Sequence, residues 1–308
     1  MITTPTPHTL KRREYLQSYA MIAISVIGLA LLVIYPLGWI LRFSLYRYDG
    51  ISEPIYVGMS NFIRAFGANG ARYWQTVRNT FVFAFGKLLV EIPLALVLAY
   101  IVAGKIKGRS FFRTVYFLPS MLSVAVMGIM FYYLFGSYSG AINEIVRMFG
   151  GAGNTRWFSS GTLAMIVIMI ASVWQNFGIN MLFFMTGLQS IPEELYEAAT
   201  IDGANSVQRF FRITIPMLAP VSQMVIMNAL LGSLKVVDLV LAMTNGAPNF
   251  QTEMMMSYVY KLFFASTQLG TANNFGYGAA LSVITAVILT VVTLIYLRVT
   301  HKGSEIHD

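Results

Sequence analysis

Four ionisable side chains lie inside long apolar stretches of this chain, where each would be costly to bury. Lys87 and Glu91 are four residues apart, and Lys235 and Asp238 are three apart. On a helix, both spacings place the two side chains on one face, where opposite charges can neutralise each other. An ionisable group in lipid costs about 2.5–3.5 kcal/mol on insertion scales, so each pair requires an explanation. The Lys87–Glu91 pair can stabilise helix packing, or it can belong to a gate.

Amide and hydroxyl side chains form stripes near these charges. Asn228 lies seven residues before Lys235, on the same face of a predicted helix. In another apolar stretch, Ser172, Asn176 and Asn180 recur at four-residue intervals, which also places them on one face. Such stripes can line a pathway in which amides and hydroxyls bond to the hydroxyl groups of a sugar. They can equally form hydrogen bonds between helices, worth about 0.6 kcal/mol each on average, that pack a dimer.

Aromatic side chains near the ends of the apolar stretches also have two interpretations. Trp174 and Tyr132 could stack on the faces of a sugar in such a pathway. Aromatic residues are also enriched where helices cross the membrane surface, and anchoring explains most of them without a ligand. The candidate pathway residues are Ser172, Asn176, Asn180, Asn228, Lys235, Asp238 and Tyr132.

The sequence lacks the residues that a metal cluster, a reactive thiol or a nucleotide-binding phosphate loop would require. His8, His301 and His307 are scattered near the chain ends, and there is no cysteine, so no metal cluster is predicted. Gly86-Lys87 and Gly104-Lys105 lack the upstream glycine and the Ser/Thr of a nucleotide-binding phosphate loop. We therefore expect no catalytic residue, no metal site and no cofactor bound by this chain.

The composition places these residues in a membrane. Of 308 residues, 56% are hydrophobic and 11% are charged, against about 25% charged in soluble domains. A helix that crosses the hydrocarbon core needs about 20 apolar residues, because lipid leaves no partner for unpaired backbone groups. We predict an all-α membrane protein with six transmembrane helices, at about 19–43, 79–103, 114–135, 162–187, 218–243 and 276–298.

Basic residues predict the orientation. The loop 104–113 carries four of them and no acid, and Lys11-Arg12-Arg13 precedes the first span. The positive-inside rule places both, and the C-terminal end, in the cytoplasm. The net charge of +8 is thus assigned to orientation and not to nucleic acid. The first run resembles a signal peptide but is too long for one, so it is interpreted as an uncleaved span.

This orientation divides the chain into a tail of residues 1–18, a six-span transmembrane domain of residues 19–298 and a tail of residues 299–308. Both tails would be cytoplasmic in a multi-pass protein of the cytoplasmic (inner) membrane. The segments 44–78, 136–161 and 244–275 would face outward.

The loop 188–217 is the long hydrophilic segment on the predicted cytoplasmic side. Pro192 and the glutamates that follow it favour a helix start, because carboxylates stabilise the positive end of a helix. Gly203 then interrupts the helix, and a second amphipathic piece leads to Pro216. Two short helices joined by a glycine bend suit docking into a groove of a partner.

The same loop resembles the EAA motif of bacterial ABC importer permeases. Glu197-Ala198-Ala199 is followed after three residues by Gly203, and after nine more by Ile213-Thr214-Ile215-Pro216. Ile215 replaces the leucine of that motif. Further stretches resemble the sugar-importing branch related to maltose and glycerol-phosphate permeases, namely 111–120, 140–146, 246–252 and 275–284.

The resemblance implies a permease subunit that forms half of a translocation pathway. Its EAA loop would dock into a pair of separate ATP-binding cassette subunits, which bind ATP and Mg²⁺. The implied coupling residues are Glu197, Ala198, Ala199, Asp202, Gly203, Ile213 and Pro216. The other implied partners are a second permease subunit (usually a different chain in this branch), a solute-binding protein on the outer segments 44–78 and 244–275, a sugar and membrane lipid.

Two other classes of function remain open at this point. An ion-coupled secondary transporter would use Lys87/Glu91 and Lys235/Asp238 as coupling sites, although no internal repeat supports it. A membrane-embedded enzyme would need convergent titratable groups or a metal cluster, and the sequence shows neither.

Overall fold

The computed structural model describes residues 7–104, 107–137, 140–264 and 273–304, with side chains from Ser18 to Thr300. Lys105 of the basic loop and the side chains of Lys11, Arg12 and Arg13 lie outside this description. Two compact units divide the chain. One contains the residues through Phe66 and Leu262–Ile284, and the other contains Gly67–Lys261 and the residues from Thr285 onward.

Most of the described chain is helical and very little of it is strand, which confirms the predicted all-α class. The helices of the first half are α1 (Pro7–Leu29), α2 (Tyr35–Phe43), α3 (Ser60–Phe66), α4 (Ala71–Ala103), α5 (Arg109–Phe117), α6 (Val124–Leu134) and α7 (Ala141–Met148). Those of the second half are α8 (Gly161–Gln189), α9 (Glu193–Ile201), α10 (Ser206–Arg209), α11 (Ile215–Met217), α12 (Ala219–Leu234), α13 (Asp238–Met243), α14 (Met255–Phe264) and α15 (Phe275–Ser304). Short 3-10 turns cover Ala68–Gly70 and Leu118–Met121.

The first unit contains a small hairpin beside its helices. Strands β1 (Tyr46–Arg47) and β2 (Ile55–Tyr56) pair antiparallel, with Tyr46 opposite Tyr56. Asn61 fixes the approach to the hairpin, because its Nδ2 donates to the carbonyl oxygens of Ser44 and Tyr46, both at 2.9 Å.

Two helices widen into π turns just before a proline. The π turn Ala30–Ile34 precedes Pro36, and Phe210–Thr214 precedes Pro216. Proline has no N–H to donate and its ring crowds the preceding turn, so the helix before it loosens. The first span nevertheless continues from Ser18 to Phe43, close to its predicted bounds.

Two of the predicted spans are broken. Among the described residues, four helices are long and apolar enough to cross a membrane alone, and the number rises to six if each of two bent pairs is counted as one span. The run at 114–135 bends by 97° between the segments Arg109–Met121 and Val124–Leu134. The run at 218–243 follows a 69° bend after Met217, and its helix ends at Leu234 before α13 begins at Asp238. Each of these two predicted spans is thus made of more than one helix, because hydropathy identifies the apolar stretch and does not locate a bend within it.

In the second unit, α4 and α8 pack along each other. Helix α4 has 33 residues, about 50 Å at 1.5 Å per residue, and so exceeds the hydrocarbon thickness of about 30 Å. Near the EAA loop, their core contains Ala99, Phe184, Met185 and Leu218, all essentially buried.

Gly178 of α8 lies where the backbone of α5 comes very close. A Cβ added there would lie 1.9 Å from the carbonyl oxygen of Tyr116 in α5, which is backbone and cannot move alone. We expect Gly178→Ala to lower the free energy of unfolding by about 1–3 kcal/mol, because α5 must be displaced. Denaturation of the purified chain by sodium dodecyl sulfate, followed by circular dichroism, measures the change.

Gly232→Ala provides the matched control for this substitution. A Cβ at Gly232, inside α12, meets no atom within 4 Å. Alanine should there be neutral or stabilising by up to about 1 kcal/mol, since it is the better helix former. Equal effects of the two substitutions would contradict the close packing of α5 on α8.

Candidate functional site

A cavity of about 340 Å³ in the second unit collects most of the predicted pathway residues. It lies among α4, α8, α12 and the start of α13. Its lining includes Ser172, Asn176, Asn180, Asn228, Lys235 and Asp238, together with Lys87 and Glu91. The four-residue periodicity on α8 was therefore enough to place one polar wall of this cavity.

A buried ion pair forms part of the cavity wall. Lys87 Nζ lies 3.1 Å from Glu91 Oε2, and both side chains are at most 5% exposed. Asn180 of α8 donates from Nδ2 to Glu91 Oε1 at 2.5 Å. This confirms that Lys87 and Glu91 pair on one helix face, and it shows that the pair also joins α4 to α8. Each charge is thereby compensated inside the membrane.

Lys235 and Asp238 both line the cavity, but they do not lie on one continuous helix as predicted. Lys235 follows the end of α12 and Asp238 begins α13, so the two are not one turn apart on a continuous helix. Both side chains are exposed, and the described structure contains no ion pair between them. The prediction that Lys235 and Asp238 neutralise each other on one helix face is therefore wrong, although both residues line the cavity with Asn228.

Tyr132 does not line this cavity. Its ring packs against Tyr133 and Phe158, with centroids 5.7 and 5.1 Å away. Trp174 is also absent from the lining and packs against Phe131 at 5.5 Å. The presence of an aromatic residue near the end of a predicted span therefore did not identify a residue that lines this cavity.

Gln175 is a cavity residue that the sequence interpretation missed. Its Nε2 donates to the carbonyl oxygen of Leu122 at 3.1 Å, in the break that precedes α6. This bond satisfies a backbone group that the bend leaves without a helical partner. The signal that could have found Gln175 is its place beside Asn176 in an otherwise apolar stretch.

A second buried network, formed by Glu253, Ser257 and Lys261, was also missed. Lys261 Nζ lies 2.5 Å from Glu253 Oε2 and donates to the carbonyl oxygen of Asn245 at 2.9 Å. Ser257 Oγ donates to Glu253 Oε1 at 2.5 Å. These residues fall in 244–275, which was interpreted as an outer segment. Its part from Thr252 to Val259 is largely buried, which leaves less of the segment as surface.

The EAA loop forms a compact and exposed helical turn. Helix α9 ends at Ile201, and Gly203 adopts φ +77°, a left-handed conformation that favours glycine. The N–H groups of Gly203 and Ala204 then cap the carbonyl oxygens of Thr200 and Ala199. Asn205 opens α10 with a reciprocal capping box to Gln208.

Side-chain bonds hold the two pieces of this loop together. Arg209 Nη1 donates to Thr200 Oγ1 at 2.9 Å, and the hydroxyls of Tyr196 and Thr214 lie 2.9 Å apart. Phe210 packs edge-on against Tyr100 near the end of α4, with centroids 4.9 Å apart. The loop is therefore connected to α4 as well as to α8.

The predicted coupling residues lie on this one element. Ala199 and Ile213 are half-buried, and the other members are exposed, namely Glu197, Ala198, Asp202, Gly203 and Pro216. Ile201 beside them is 87% exposed.

The described residues contain no group of three His, Cys, Asp or Glu side chains that could hold a metal ion. The chemistry available in the cavity is hydrogen bonding from amides and hydroxyls with one acidic and one basic side chain exposed. Such a set can form hydrogen bonds with a polar solute.

Comparisons with known proteins identify the family. Residues 91–302 match the model of the binding-protein-dependent transport system inner membrane component. The Bacillus subtilis "Probable ABC transporter permease protein YesP" is 32% identical over 93% of this chain and 91% of its own length. The arabinooligosaccharides transport system permease protein AraP of the same organism is 32% identical over 80% of this chain and 77% of its own length.

The fold agrees with a solved transporter. The crystal structure of a bacterial ABC transporter involved in the import of the acidic polysaccharide alginate contains a chain that superposes with a TM-score of 0.80. The match covers 94% of this chain and 96% of that one, at 19% identity. The alternative of an ion-coupled secondary transporter is not favoured, since residues 91–302, which include the EAA loop, match a family of binding-protein-dependent transport components. The chain belongs to the family of binding-protein-dependent transport system inner membrane components, and it is a membrane-spanning permease subunit of an ABC importer, not an enzyme.

Proposed function

We propose that this permease forms half of a translocation pathway for a sugar or a related polyhydroxy solute. The observation that carries the proposal is the polar cavity among α4, α8 and α12, which presents Asn176, Asn228 and neighbouring hydroxyls. AraP, a relative named for arabinooligosaccharides, supports the same substrate class.

The charges of the cavity favour a neutral solute. The Lys87–Glu91 pair is internally neutral, and the two exposed charges, Lys235 and Asp238, have opposite signs. An anionic substrate would gain from a net positive wall, which these residues do not provide. Amide groups, which both donate and accept, match the hydroxyl groups of a sugar.

Energy would come from separate subunits through the EAA loop. The exposed surface of Glu197, Ala198 and Ile201 would dock into a pair of ATP-binding cassette subunits, which bind ATP and Mg²⁺. Because the loop joins α8 to α12 and contacts α4, movement of the partner would reach the three helices around the cavity. The remaining partners would be a second permease subunit of different sequence and an extracytoplasmic solute-binding protein.

In this proposal the chain is a six-span protein of the inner membrane with both termini in the cytoplasm. The EAA loop then faces the ATPase. The loop 244–252 and the segment 44–78 face the solute-binding protein.

Substitution of the cavity amides tests the pathway. We expect Asn176→Leu or Asn228→Leu to lower uptake of the transported solute by about tenfold, because each removes a hydrogen-bonding group worth about 1 kcal/mol or more. The measurement is ATP-dependent uptake of a panel of labelled sugars and polyols into vesicles that contain the complete importer.

Thr290→Val serves as the control, because the exposed hydroxyl of Thr290 bonds to the carbonyl oxygen of Ala286 in its own helix α15. Its uptake should equal that of the unmodified protein. Unchanged uptake in both asparagine variants, with normal amounts of protein in the membrane, would overturn the assignment of this cavity to the pathway.

A further inference from the structure

A groove runs between α4 and α8 on a face that shares no residue with the lining of the polar cavity. It consists of two adjoining cavities of about 470 and 460 Å³, which both include Ile166 and Met169. Together they extend from Gln75 to Leu94 on α4 and from Gly161 to Phe177 on α8. The two stretches are about 29 and about 24 Å long at 1.5 Å per residue.

The groove is polar at one end and apolar along the rest. Polar side chains surround the end of the groove near the start of α8, namely Gln75, Arg78, Asn79, Thr162 and Gln251. Beyond Val82 the walls are apolar apart from the indole of Trp174.

The predicted span boundaries place the polar end at the level of the membrane surface. The apolar runs that we predict to cross the membrane begin at residues 79 and 162, directly after Arg78 and Gly161. The section from Val82 to Leu94 is about 18 Å long at 1.5 Å per residue, similar to one leaflet of the hydrocarbon core, which is about 15 Å thick.

Arg78 is a cation that the described part of the chain leaves without an ion pair. The neighbouring Arg72, by contrast, lies over the ring of Phe250 at 4.5 Å and does not line the groove. Thr162 of the polar end lies in the first turn of α8, whose positive end adds to the charge of Arg78. Both features favour a negative group.

We propose that the α4–α8 groove binds an anionic phospholipid, with its phosphate on Arg78 and one acyl chain along the apolar walls. A sugar would leave most of this groove without hydrogen bonds. At Gly86 an added Cβ would lie 2.9 Å from Met169 Cε of α8, so the two helices are close together where both residues line the groove. An acyl chain matches the apolar lining beyond Val82.

Native mass spectrometry of the purified importer tests the proposal. Phosphatidylglycerol should bind more tightly than phosphatidylcholine of the same chain length, and Arg78→Gln should weaken phosphatidylglycerol binding about fivefold. Arg72→Gln, the matched control, should leave that affinity unchanged. Ile170→Trp, which fills the apolar section, should weaken binding of phosphatidylglycerol without changing the charge.

Three outcomes would overturn it. Equal effects of Arg78→Gln and Arg72→Gln would mean a general attraction of lipid to positive charge. Full displacement of phosphatidylglycerol by inorganic phosphate would mean that the groove recognises the free anion. Because the chain has no native cysteine, Ile170→Cys can also be cross-linked selectively, and a cross-link to another protein chain would show that a partner fills the groove.

Discussion

Glu197→Lys should reduce ATP-dependent uptake at least about a hundredfold while the chain remains folded in the membrane. Glu197 is exposed on α9 and forms no ion pair among the described residues, so its reversal costs the isolated chain little. At a docked interface, the proposed basic partner would instead face a like charge, which costs several kcal/mol. The large effect is therefore expected only if this surface docks.

Glu193→Lys is the matched control for that reversal. Glu193 lies in the first turn of the same helix, is also exposed, and is outside the motif. Its reversal should weaken the helix start by about 0.3–1 kcal/mol through the helix dipole, with little loss of uptake. A comparable loss of uptake in both variants would show that general charge, and not the Glu197 position, matters.

Copurification identifies the partner in the same experiment. The unmodified chain, extracted from native membranes, should bring an ATPase with it, and Glu197→Lys should lose that activity. Gly203→Val should have the same effect, since a β-branched residue at φ +77° would distort the bend between α9 and α10. A Glu197→Lys chain that still copurifies with the ATPase and still transports would refute the coupling role.

The sequence predicted this loop well because its signals are local. The Pro192–Glu194 start and the glycine stop act within one turn, and each appears in the structure close to its predicted place. The α8 stripe was predictable for a similar reason, since 3.6-residue periodicity alone brings Asn176 and Asn180 to one face.

The breaks in the spans were not predictable from the same signals. Pro216 and Pro220 flank the bend before α12, but prolines also occur inside unbroken helices, as Pro93 does in α4. Whether such a helix bends depends on neighbours that can satisfy the freed carbonyl groups, as Gln175 does for Leu122. Those neighbours come from distant parts of the sequence.

The buried pair Glu253–Lys261 belongs to the same class of long-range features. The two residues are eight apart in the sequence and so do not share one helical turn. Lys261 also donates to the carbonyl oxygen of Asn245 in the preceding loop. Helix α4 adds bonds from Asn79 Nδ2 to the carbonyl oxygens of Phe250 and Glu253, at 3.1 and 3.0 Å. The loop 244–254 is therefore fixed at several points. Removal of the Lys261 charge, which pairs with Glu253, should allow the loop to move.

Lys261→Met should destabilise the chain by about 3–5 kcal/mol, because it leaves the Glu253 carboxylate buried without its cation. Lys261 and Glu253 are 1% and 0% exposed, so water cannot replace the lost partner without local opening. The double variant Glu253→Gln/Lys261→Met should recover a large part of that loss, since it removes both charges together. Denaturation in sodium dodecyl sulfate, followed by circular dichroism, measures the stability of the unmodified protein, the single variant and the double variant.

The exposed pair Glu144–Arg147 is the internal comparison for this experiment. Its atoms lie 3.1 Å apart, but both side chains are more than 40% exposed. Glu144→Gln should therefore change stability by less than about 1 kcal/mol, as is usual for surface ion pairs. If Lys261→Met were as mild as Glu144→Gln, water would have to reach Glu253, and the loop 244–254 would not be the rigid element inferred from its bonds. A severe single variant with a recovered double variant would instead show that the charge pair fixes the loop, so that its exposed residues Asn249 and Gln251 are held in place for a partner.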